Sequence, residues 1–396
     1  MKELVKIRGL SVNFYTYEGT VRALSNLQLD IYHGETLGLV GETGCGKTMT
    51  ALSILRLIMP PGKIETGNIY YYDTKNQPVD LLSLKESKIR AIRGAQISMV
   101  FQEPGAALNP VYTIGDQISE VVLLHRRQEL ATNALGTLDK ILAQKNGFTY
   151  SILKPSRLIQ KNLIAKICRN PRALIPRLIG RIPGARRFLW RLEDEARKIA
   201  ISSLKEVEIA DPSRVIQQHP HQLSGGMKQR AVIAMALACH TRLLIADEPT
   251  TALDVTIQAQ ILELLRKLKM EFDSSILYIT HDLAVAAEMC DRVGVMYSGS
   301  LCEIAEVEEI FANPLHPYTK ALLVAVPRPG EKLSAISGSV PDPLDLPNGC
   351  RFHPRCKDAG DICSREIPEL TSIKPGHLVA CHLYSGGLLG NSVRNP

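Results

Sequence analysis

The feature that most constrains the fold of this chain is a glycine-rich segment near its amino terminus. Residues 41–48 fit the pattern G-x-x-x-x-G-K-[ST] between a β-rich run and a predicted helix. In that setting backbone amides can surround phosphates, Lys47 can reach the β- and γ-phosphates, and the Thr48 hydroxyl can bind Mg²⁺. We call residues 41–48 the phosphate loop; an ordinary glycine-rich turn is the alternative interpretation. The candidate nucleotide-binding residues here are Gly41, Glu42, Thr43, Gly44, Cys45, Gly46, Lys47, Thr48 and Met49.

Predicted strands alternate with predicted helices along the chain, which indicates an α/β layered core. The β-rich or apolar runs are residues 5–12, 27–32, 35–41, 67–72, 95–102, 243–246, 276–280 and 293–297. The run 243–246 is continuously apolar, as is typical of a buried parallel strand, and it ends in Asp247 and Glu248. Beside a phosphate loop, the first acid can hold Mg²⁺ and the second can polarise an attacking water. A solvated strand end is the alternative.

The charge of the chain is concentrated in one segment. The 396 residues are 45% hydrophobic and 22% charged, which excludes a disordered or collagen-like chain, and their net charge is +7. Residues 126–190 contain fourteen basic and two acidic side chains, a net charge of +12, which leaves −5 for the rest. A basic protein can favour nucleic acid or an anionic membrane, so any such partner is expected at this segment.

The sequence shows no sign of a membrane-spanning or secreted chain. No apolar run approaches the ~20 residues that a spanning helix needs. The first residues lack the apolar region of a signal peptide. We therefore expect a cytoplasmic chain, in which clustered cysteines bind metal or act in redox chemistry more often than they form disulfides.

Further motifs follow the phosphate loop in order. They are Met99-Val100-Phe101-Gln102, Leu223-Ser224-Gly225-Gly226-Met227, Asp247-Glu248-Pro249, Ala252-Leu253-Asp254 and Thr280-His281-Asp282. Together they resemble the Q-loop, signature motif, catalytic acid, D-loop and switch histidine of ABC-type ATPases, although Met227 stands where Gln is usual. The resemblance implies a P-loop ABC-type ATPase core, with RecA-like, antiparallel β and helical subdomains. The region from Pro327, rich in Pro and Gly and with a cysteine cluster, is expected to form a small C-terminal Cys-rich domain.

This resemblance also implies roles for individual residues. ATP would lie between the phosphate loop of one subunit and the Ser224, Gly225 and Gly226 donors of a head-to-tail partner, at the start of a predicted helix. Glu248 would activate water. The other implied roles are Lys47 and His281 on the γ-phosphate, Thr48, Asp247 and Gln102 on Mg²⁺, Asp254 in the D-loop, and Phe14 on adenine, with Tyr15 and Tyr17 as competitors. Gln102 would also sense the transmembrane partner.

Two carboxyl-terminal motifs resemble the oligopeptide/dipeptide importer branch of that family. They are Asn313-Pro314-Leu315-His316-Pro317-Tyr318-Thr319 and Gly349-Cys350-Arg351-Phe352-His353-Pro354-Arg355-Cys356. The sequences that begin at Ser224 and Asp247 resemble those of the D-type subunit of these importers. The resemblance therefore implies an F-type ATPase subunit as heterodimer partner, two transmembrane permease subunits and an extracytoplasmic substrate-binding protein.

Four cysteines near the carboxyl terminus form a candidate metal site. Cys350, Cys356, Cys363 and Cys381 are separated by five, six and seventeen residues. A Cys₄ set can hold Zn²⁺ or an iron–sulfur cluster, but the short spacing of paired zinc knuckles is absent. The resembled importer subunits carry a [4Fe-4S] cluster on a matching pattern, so we expect that cluster, with Zn²⁺ or unligated thiols as alternatives.

In the resembled family a helical subdomain between the Q-loop and the signature motif contacts the transmembrane subunits, and the resemblance implies that the basic segment 126–190 is an insertion in it. A solvated, lineage-specific insertion is one interpretation, and a membrane-surface element touching anionic lipid is another. The apolar residues that interleave with its arginines are Leu174, Ile175, Leu178, Ile179, Ile182, Phe188, Leu189 and Trp190. Nucleic-acid binding is disfavoured because aromatic residues are few.

The sequence as a whole predicts the ATP-hydrolysing subunit of an importer of di- or oligopeptides, peripheral on the cytoplasmic face of the membrane. Its expected domains are an ATPase domain over residues 1–322, with the insertion 126–190, and a C-terminal domain over 323–396. The alternatives are a soluble ABC-type ATPase that acts on nucleic acid with a zinc module, and a metal-binding regulator with a vestigial ATPase. Intact Lys47, Asp247, Glu248 and His281 disfavour the regulator.

Overall fold

A computed structural model describes residues 2–143, 148–170, 189–251, 253–326 and 336–384. The strands in these ranges are β1 Glu3–Thr16, β2 Gly19–Tyr32, β3 Thr36–Val40, β4 Gly62–Tyr72, β5 Pro78–Asp80, β6 Ile97–Val100, β7 Leu243–Asp247, β8 Ser275–Ile279, β9 Arg292–Tyr297, β10 Ser300–Glu306, β11 Thr371–Lys374 and β12 His377–Val379. Every run that the sequence predicts as a strand overlaps one of these, whereas β5, β10, β11 and β12 correspond to no predicted run.

The helices vary from one turn to six turns. They are α1 Lys47–Ile54, α2 Glu86–Ile92, α3 Pro104–Ala107, α4 Ile114–His125, α5 Arg127–Ala143, α6 Phe148–Arg169, α7 Trp190–Glu206, α8 Pro212–Val215, α9 Gly225–Leu237, α10 Val255–Glu271, α11 Leu283–Met289, α12 Val307–Ala312 and α13 Pro317–Val324. Short 3₁₀ helices cover Pro220–Gln222, His353–Arg355 and Asp361–Ser364. Within the described ranges, the helices are all too short or too polar to cross a membrane.

The chain divides into two compact units. The first holds the described residues within Met1–Arg90, Arg242–Glu248 and Leu265–Pro396. Its main sheet runs in the order β11-β12-β10-β9-β3-β8-β7. Strands β7, β8, β3 and β9 are parallel, whereas β10, β12 and β11 add antiparallel pairs at the β9 side. All residues of β3, β7, β8 and β9 are buried, which explains why these strands are mostly apolar.

A second sheet of this unit is antiparallel, in the order β2-β1-β4-β5. Strands β1 and β2 form a hairpin that closes with Thr16 opposite Gly19. Alternate residues of β1 are buried, as expected for a sheet with one face toward a core. The main sheet and this antiparallel sheet fit the predicted RecA-like and antiparallel β parts of the fold.

The second unit holds the described residues of Ala91–Thr241 and Pro249–Leu264 and is mainly helical. Helix α5 packs against α6, and α4 against α7. The predicted insertion therefore begins as a helical hairpin, in which α5 buries Leu130, Ala134 and Leu138. Residues 171–188, with most of the apolar residues of the proposed lipid contact, lie outside the described residues. The helix expected to resume at Glu193 begins at Trp190.

The segment after β10 is anchored by a buried acid. Glu303, fully buried on β10, accepts hydrogen bonds from the amides of Leu315 and His316 at 2.7 and 2.9 Å. It also lies 2.7 Å from His377 Nε2. The His316 ring caps α13, because its Nδ1 accepts a hydrogen bond from the Tyr318 amide at 3.0 Å. These contacts tie α13 and β12 to the main sheet.

We expect the His316 cap to make stability depend on pH. Burial lowers the pKa of His316 from 6.5 to about 4. The contribution of this group to stability is therefore fully present above pH 6.5, where the ring is neutral in the folded and unfolded states, and is lost as pH falls toward 4. As pH falls from about 6.5 to about 4, wild type should lose roughly 3 kcal/mol relative to His316→Asn, which keeps a capping side chain without titrating. Urea unfolding at a series of pH values measures the difference. Parallel pH curves for the two proteins would contradict the assignment.

Candidate nucleotide site

The phosphate loop connects β3 to α1 and requires glycine by geometry. Gly41 has φ +150°, and a Cβ there would lie 2.2 Å from the Met296 carbonyl oxygen. Gly46 has φ +102° and caps α1, where a Cβ would lie 2.7 Å from Leu24 Cδ2. Glycine at these two positions lets the loop pack closely against neighbouring chain segments. The amides of the loop therefore lie at the start of helix α1.

Lys47 is the buried cation of this loop. Its Nζ donates hydrogen bonds to the carbonyl oxygens of Gly41 at 2.7 Å and Glu42 at 3.2 Å. It also lies 3.7 Å from Cys45 Sγ, and burial raises the pKa of that thiol, which therefore stays neutral. A buried ammonium held over a glycine-rich turn fits the recognition of a polyanion.

Thr48, on α1, contacts Asp247 at the end of β7. The Thr48 hydroxyl donates a hydrogen bond to Asp247 Oδ1 at 3.2 Å. Burial raises the pKa of the Asp247 carboxyl, and the hydrogen bond from Thr48 opposes that rise. A hydroxyl and a carboxylate side by side are oxygen ligands of the type that Mg²⁺ prefers. These two residues therefore fit the donor set predicted for the cation.

Glu248 and His281 are brought together by parallel strand pairing. Asp247 on β7 lies opposite Ile279 on β8, so the residues that follow emerge at the same edge of the sheet. The Glu248 amide donates to the Ile279 carbonyl at 2.9 Å, and its backbone is left-handed, with φ 47°. His281 Nδ1 lies 3.1 Å from Glu248 Oε1. The glutamate is 15% exposed and the histidine 58%, so the pair can reach a solvent-accessible substrate.

The remaining predicted polar ligands lie in the second unit. Gln102 follows β6 and is exposed. Ser224 is exposed and caps α9, where its hydroxyl accepts a hydrogen bond from the Met227 amide at 3.3 Å. Gly225 and Gly226 form the first turn of that helix. Asp254 accepts from the Ile257 amide at 2.9 Å before α10, and Ala252 lies outside the described residues.

The candidate adenine residues differ in exposure. Phe14 on β1 is half-buried, and a Cβ on Gly62 would lie 2.6 Å from its ring. Tyr15 is 50% exposed and its hydroxyl donates to Glu65 at 2.8 Å, whereas Tyr17 is 97% exposed. The choice of Phe14 as the stacking residue stays a prediction.

The structure does not support the predicted [4Fe-4S] cluster or a zinc site. No three His, Cys, Asp or Glu side chains in the described ranges are placed to hold a metal ion. Cys350 and Cys363 are joined by a backbone hydrogen bond of 2.8 Å. Burial raises the pKa of Cys350, Cys356 and Cys381, so these thiols are neutral where no cation lies beside them.

Two residues that touch the phosphate loop were missed as site residues. The Tyr318 hydroxyl accepts a hydrogen bond from the Glu42 amide at 3.0 Å, and Arg355 forms an ion pair with the Glu42 carboxylate at 2.8 Å. Both residues lie in the carboxyl-terminal motifs identified from the sequence. Nothing in the sequence near these motifs indicates that they contact the phosphate loop.

Comparison with known proteins gives two family matches. The family described as "ABC transporter" matches residues 24–251, and "Oligopeptide/dipeptide transporter, C-terminal region" matches residues 302–363. The chain is 40% identical over 387 residues to the dipeptide transport ATP-binding protein DppD of Bacillus subtilis, which covers 97% of this chain and 95% of that one. It is 37% identical over 381 residues to the oligopeptide transport ATP-binding protein OppD of Escherichia coli, with coverages of 96% and 92%.

Solved structures show the same fold. The dimeric post-hydrolysis structure of the ATP-binding cassette MJ0796 bound to ADP and Pi has a TM-score of 0.53 and 23% sequence identity. The match covers 77% of this chain and 99% of that one. This likeness confirms the predicted α/β cassette core, with its antiparallel β and helical parts, while a Cys-rich metal domain at the carboxyl end is not confirmed.

Proposed function

The chain belongs to the ABC transporter family and is an ABC-type ATPase, and from this premise we propose that it powers an importer of di- or oligopeptides. One observation carries the proposal: the likeness to peptide-transport ATP-binding proteins extends through the carboxyl-terminal region as well as the ATPase core. ATP is the expected substrate and Mg²⁺ its expected cation. The nucleic-acid alternative is not favoured, because none of these relatives is named for it.

In the proposed reaction, water attacks the γ-phosphate of ATP and releases ADP and phosphate. Glu248 accepts the proton of the attacking water. Lys47 and His281 bind the γ-phosphate, whose negative charge is spread over its three equatorial oxygens in the transition state. Thr48 and Asp247 would hold Mg²⁺, which when bound neutralises charge on the β- and γ-phosphates. The 3.1 Å contact between Glu248 and His281 keeps the base beside the phosphate-binding histidine.

The second half of each ATP site is proposed to come from a partner subunit. Ser224 and the Gly225 and Gly226 amides are exposed or half-exposed at the start of α9, where a helix offers donors to an anion. Asp254 and Gln102 would complete the site, with Gln102 near Mg²⁺ or the water. We propose an F-type ATP-binding subunit as that partner, in a head-to-tail heterodimer.

The remaining partners are proposed from the same family membership. They are two transmembrane permease subunits and an extracytoplasmic substrate-binding protein, which would place this chain peripherally on the cytoplasmic face of the membrane. The basic segment 126–190 would face the permeases or anionic lipid there. The domain limits at residues 322 and 323 stay part of this proposal, and no step is assigned to the four cysteines.

The proposal is tested by reconstituting the chain in liposomes with the proposed F-type subunit, two permease subunits and a peptide-binding protein from the same organism. Synthetic tri- and pentapeptides supplied with the binding protein should raise ATP hydrolysis severalfold, whereas sugars and a Ni²⁺ chelate should not. Lys47→Ala, which loses the phosphate-binding ammonium, should abolish the response. Stimulation by DNA, or by sugars in place of peptides, would overturn the proposed function.

A further inference from the structure

We propose that Arg355 and Tyr318 are positioning residues that hold the phosphate loop in its nucleotide-binding shape by fixing Glu42. The proposal rests on the proposed role of this loop in binding ATP. It gives the carboxyl-terminal motifs a direct effect on nucleotide affinity.

The first contact is a two-point ion pair. Arg355 Nη1 donates to Glu42 Oε2 at 2.8 Å, and Nη2 donates to Oε1 at 3.2 Å. The Arg355 side chain is 4% exposed and that of Glu42 is 27% exposed. A guanidinium that binds both oxygens of a carboxylate fixes its orientation as well as its position.

Arg355 is itself held rigidly. Its Nε donates to the Ser337 carbonyl at 3.0 Å, and Nη1 donates to the Tyr297 hydroxyl at 3.1 Å. Its guanidinium carbon lies 5.7 Å from the Tyr297 ring centre and 6.0 Å from that of Phe352. The cation is therefore placed by its surroundings before it meets Glu42, so little side-chain entropy is lost in the pairing.

The second contact fixes the backbone of the same loop residue. The hydroxyl of Tyr318, a fully buried side chain, accepts the Glu42 N–H at 3.0 Å. The Tyr318 ring packs against Tyr297, with centres 4.6 Å apart, and against Phe352 at 5.3 Å. One aromatic cluster thus supports both the arginine and the tyrosine that hold Glu42.

These contacts bear on the groups that would meet phosphate. Lys47 Nζ donates hydrogen bonds to the carbonyl oxygens of Gly41 and Glu42. The orientation of Glu42 therefore helps to determine where the Lys47 ammonium lies. Without Arg355, Glu42 would bring an uncompensated negative charge to a loop that must bind a triphosphate. Loss of the pair should therefore weaken nucleotide binding more than it slows hydrolysis at saturation.

The experiment measures Mg-ADP affinity and the KM and kcat for ATP in the full chain. Arg355→Met, which keeps an unbranched side chain without the charge, should raise the Kd and KM about tenfold with kcat changed less than about twofold. Arg355→Lys should recover part of the affinity. Glu42→Gln combined with Arg355→Met should also bind better than Arg355→Met alone, because the unpaired carboxylate is gone.

Two further variants separate positioning from folding. Tyr318→Phe removes only the hydroxyl and should raise the Kd about threefold, which keeps the test valid if Arg355→Met folds poorly. Arg292→Met removes another buried cation of the same unit, paired with Glu35 at 3.2 Å, and should lower thermal stability without changing the Kd. The proposal is overturned if Arg355→Met and Tyr318→Phe bind as wild type, or if Arg292→Met weakens binding equally. Failure of wild type to bind nucleotide would instead contradict the proposed function.

Discussion

Glu248→Gln is expected to lower ATP hydrolysis by about two to four orders of magnitude while ATP binding is preserved. The amide cannot accept the proton of the attacking water, but it has nearly the same shape and can still hydrogen-bond His281, which lies 3.1 Å from the carboxylate. Lys47, Thr48 and Asp247 are unchanged, so the groups proposed to bind the phosphates and Mg²⁺ remain. ATP should therefore accumulate in a stable, closed dimer with the partner subunit.

This result can be measured by single-turnover hydrolysis and by size-exclusion chromatography with ATP. The matched control is Asp282→Asn, which also removes one carboxylate beside His281. Asp282 caps α11 by accepting the Ala284 and Val285 amides, and asparagine caps helices equally well. Its hydrolysis rate should stay within a few-fold of wild type. Unchanged hydrolysis in Glu248→Gln would reject the role of general base.

Gly41→Ala is expected to abolish most nucleotide binding. The new Cβ would lie 2.2 Å from the Met296 carbonyl oxygen and 2.8 Å from Cys45 Sγ, at a φ of +150° that L-residues rarely adopt. Strain and overpacking of this kind cost about 3 kcal/mol or more, which corresponds to an affinity loss of about 100-fold. The loop must move away from β9, and its amides move with it.

The control for backbone strain alone is Gly34→Ala. Gly34 has φ +79°, yet a Cβ there would meet no atom within 4 Å. This variant should lose about 1 kcal/mol of stability and bind Mg-ADP as wild type does. Calorimetric titration and thermal unfolding of both variants measure the comparison. Equal affinities for the two variants would show that the clash at Gly41 does not shape the loop.

Local sequence patterns predicted eight of the twelve described strands and the acidic residues that follow the buried strand β7. The phosphate loop lies between a buried strand and a helix, and Asp247 ends the apolar strand β7. Such features can be predicted from the sequence because they depend on residues that are close together in the chain. The order of strands is different: β3 lies between β8 and β9, partners more than two hundred residues away. Nothing in local periodicity specifies those partners.

The carboxyl-terminal segment also makes a contact, between residues far apart in the sequence, that local patterns do not predict. Arg355 and Glu42 are 313 residues apart, and the motif around Arg355 drew attention to its cysteines. Spacing and the family resemblance together suggested a metal-binding set, but neither determines how deeply each thiol is buried. Burial raises the pKa of Cys381 to about 11, a property that appears only after folding. The arginine between the cysteines makes the contact that spacing could not predict.

The strands β11 and β12 also protect the rest of the sheet. By pairing with β10, β12 covers backbone groups of a buried seven-residue strand that would otherwise form an open edge. Open edges of that kind recruit strands from other molecules and lead to aggregation. The outer strand β11 is only four residues long and carries Lys374, two features that discourage such pairing. A chain shortened before residue 371 would thus expose the edge of β10, and we expect such a chain to self-associate.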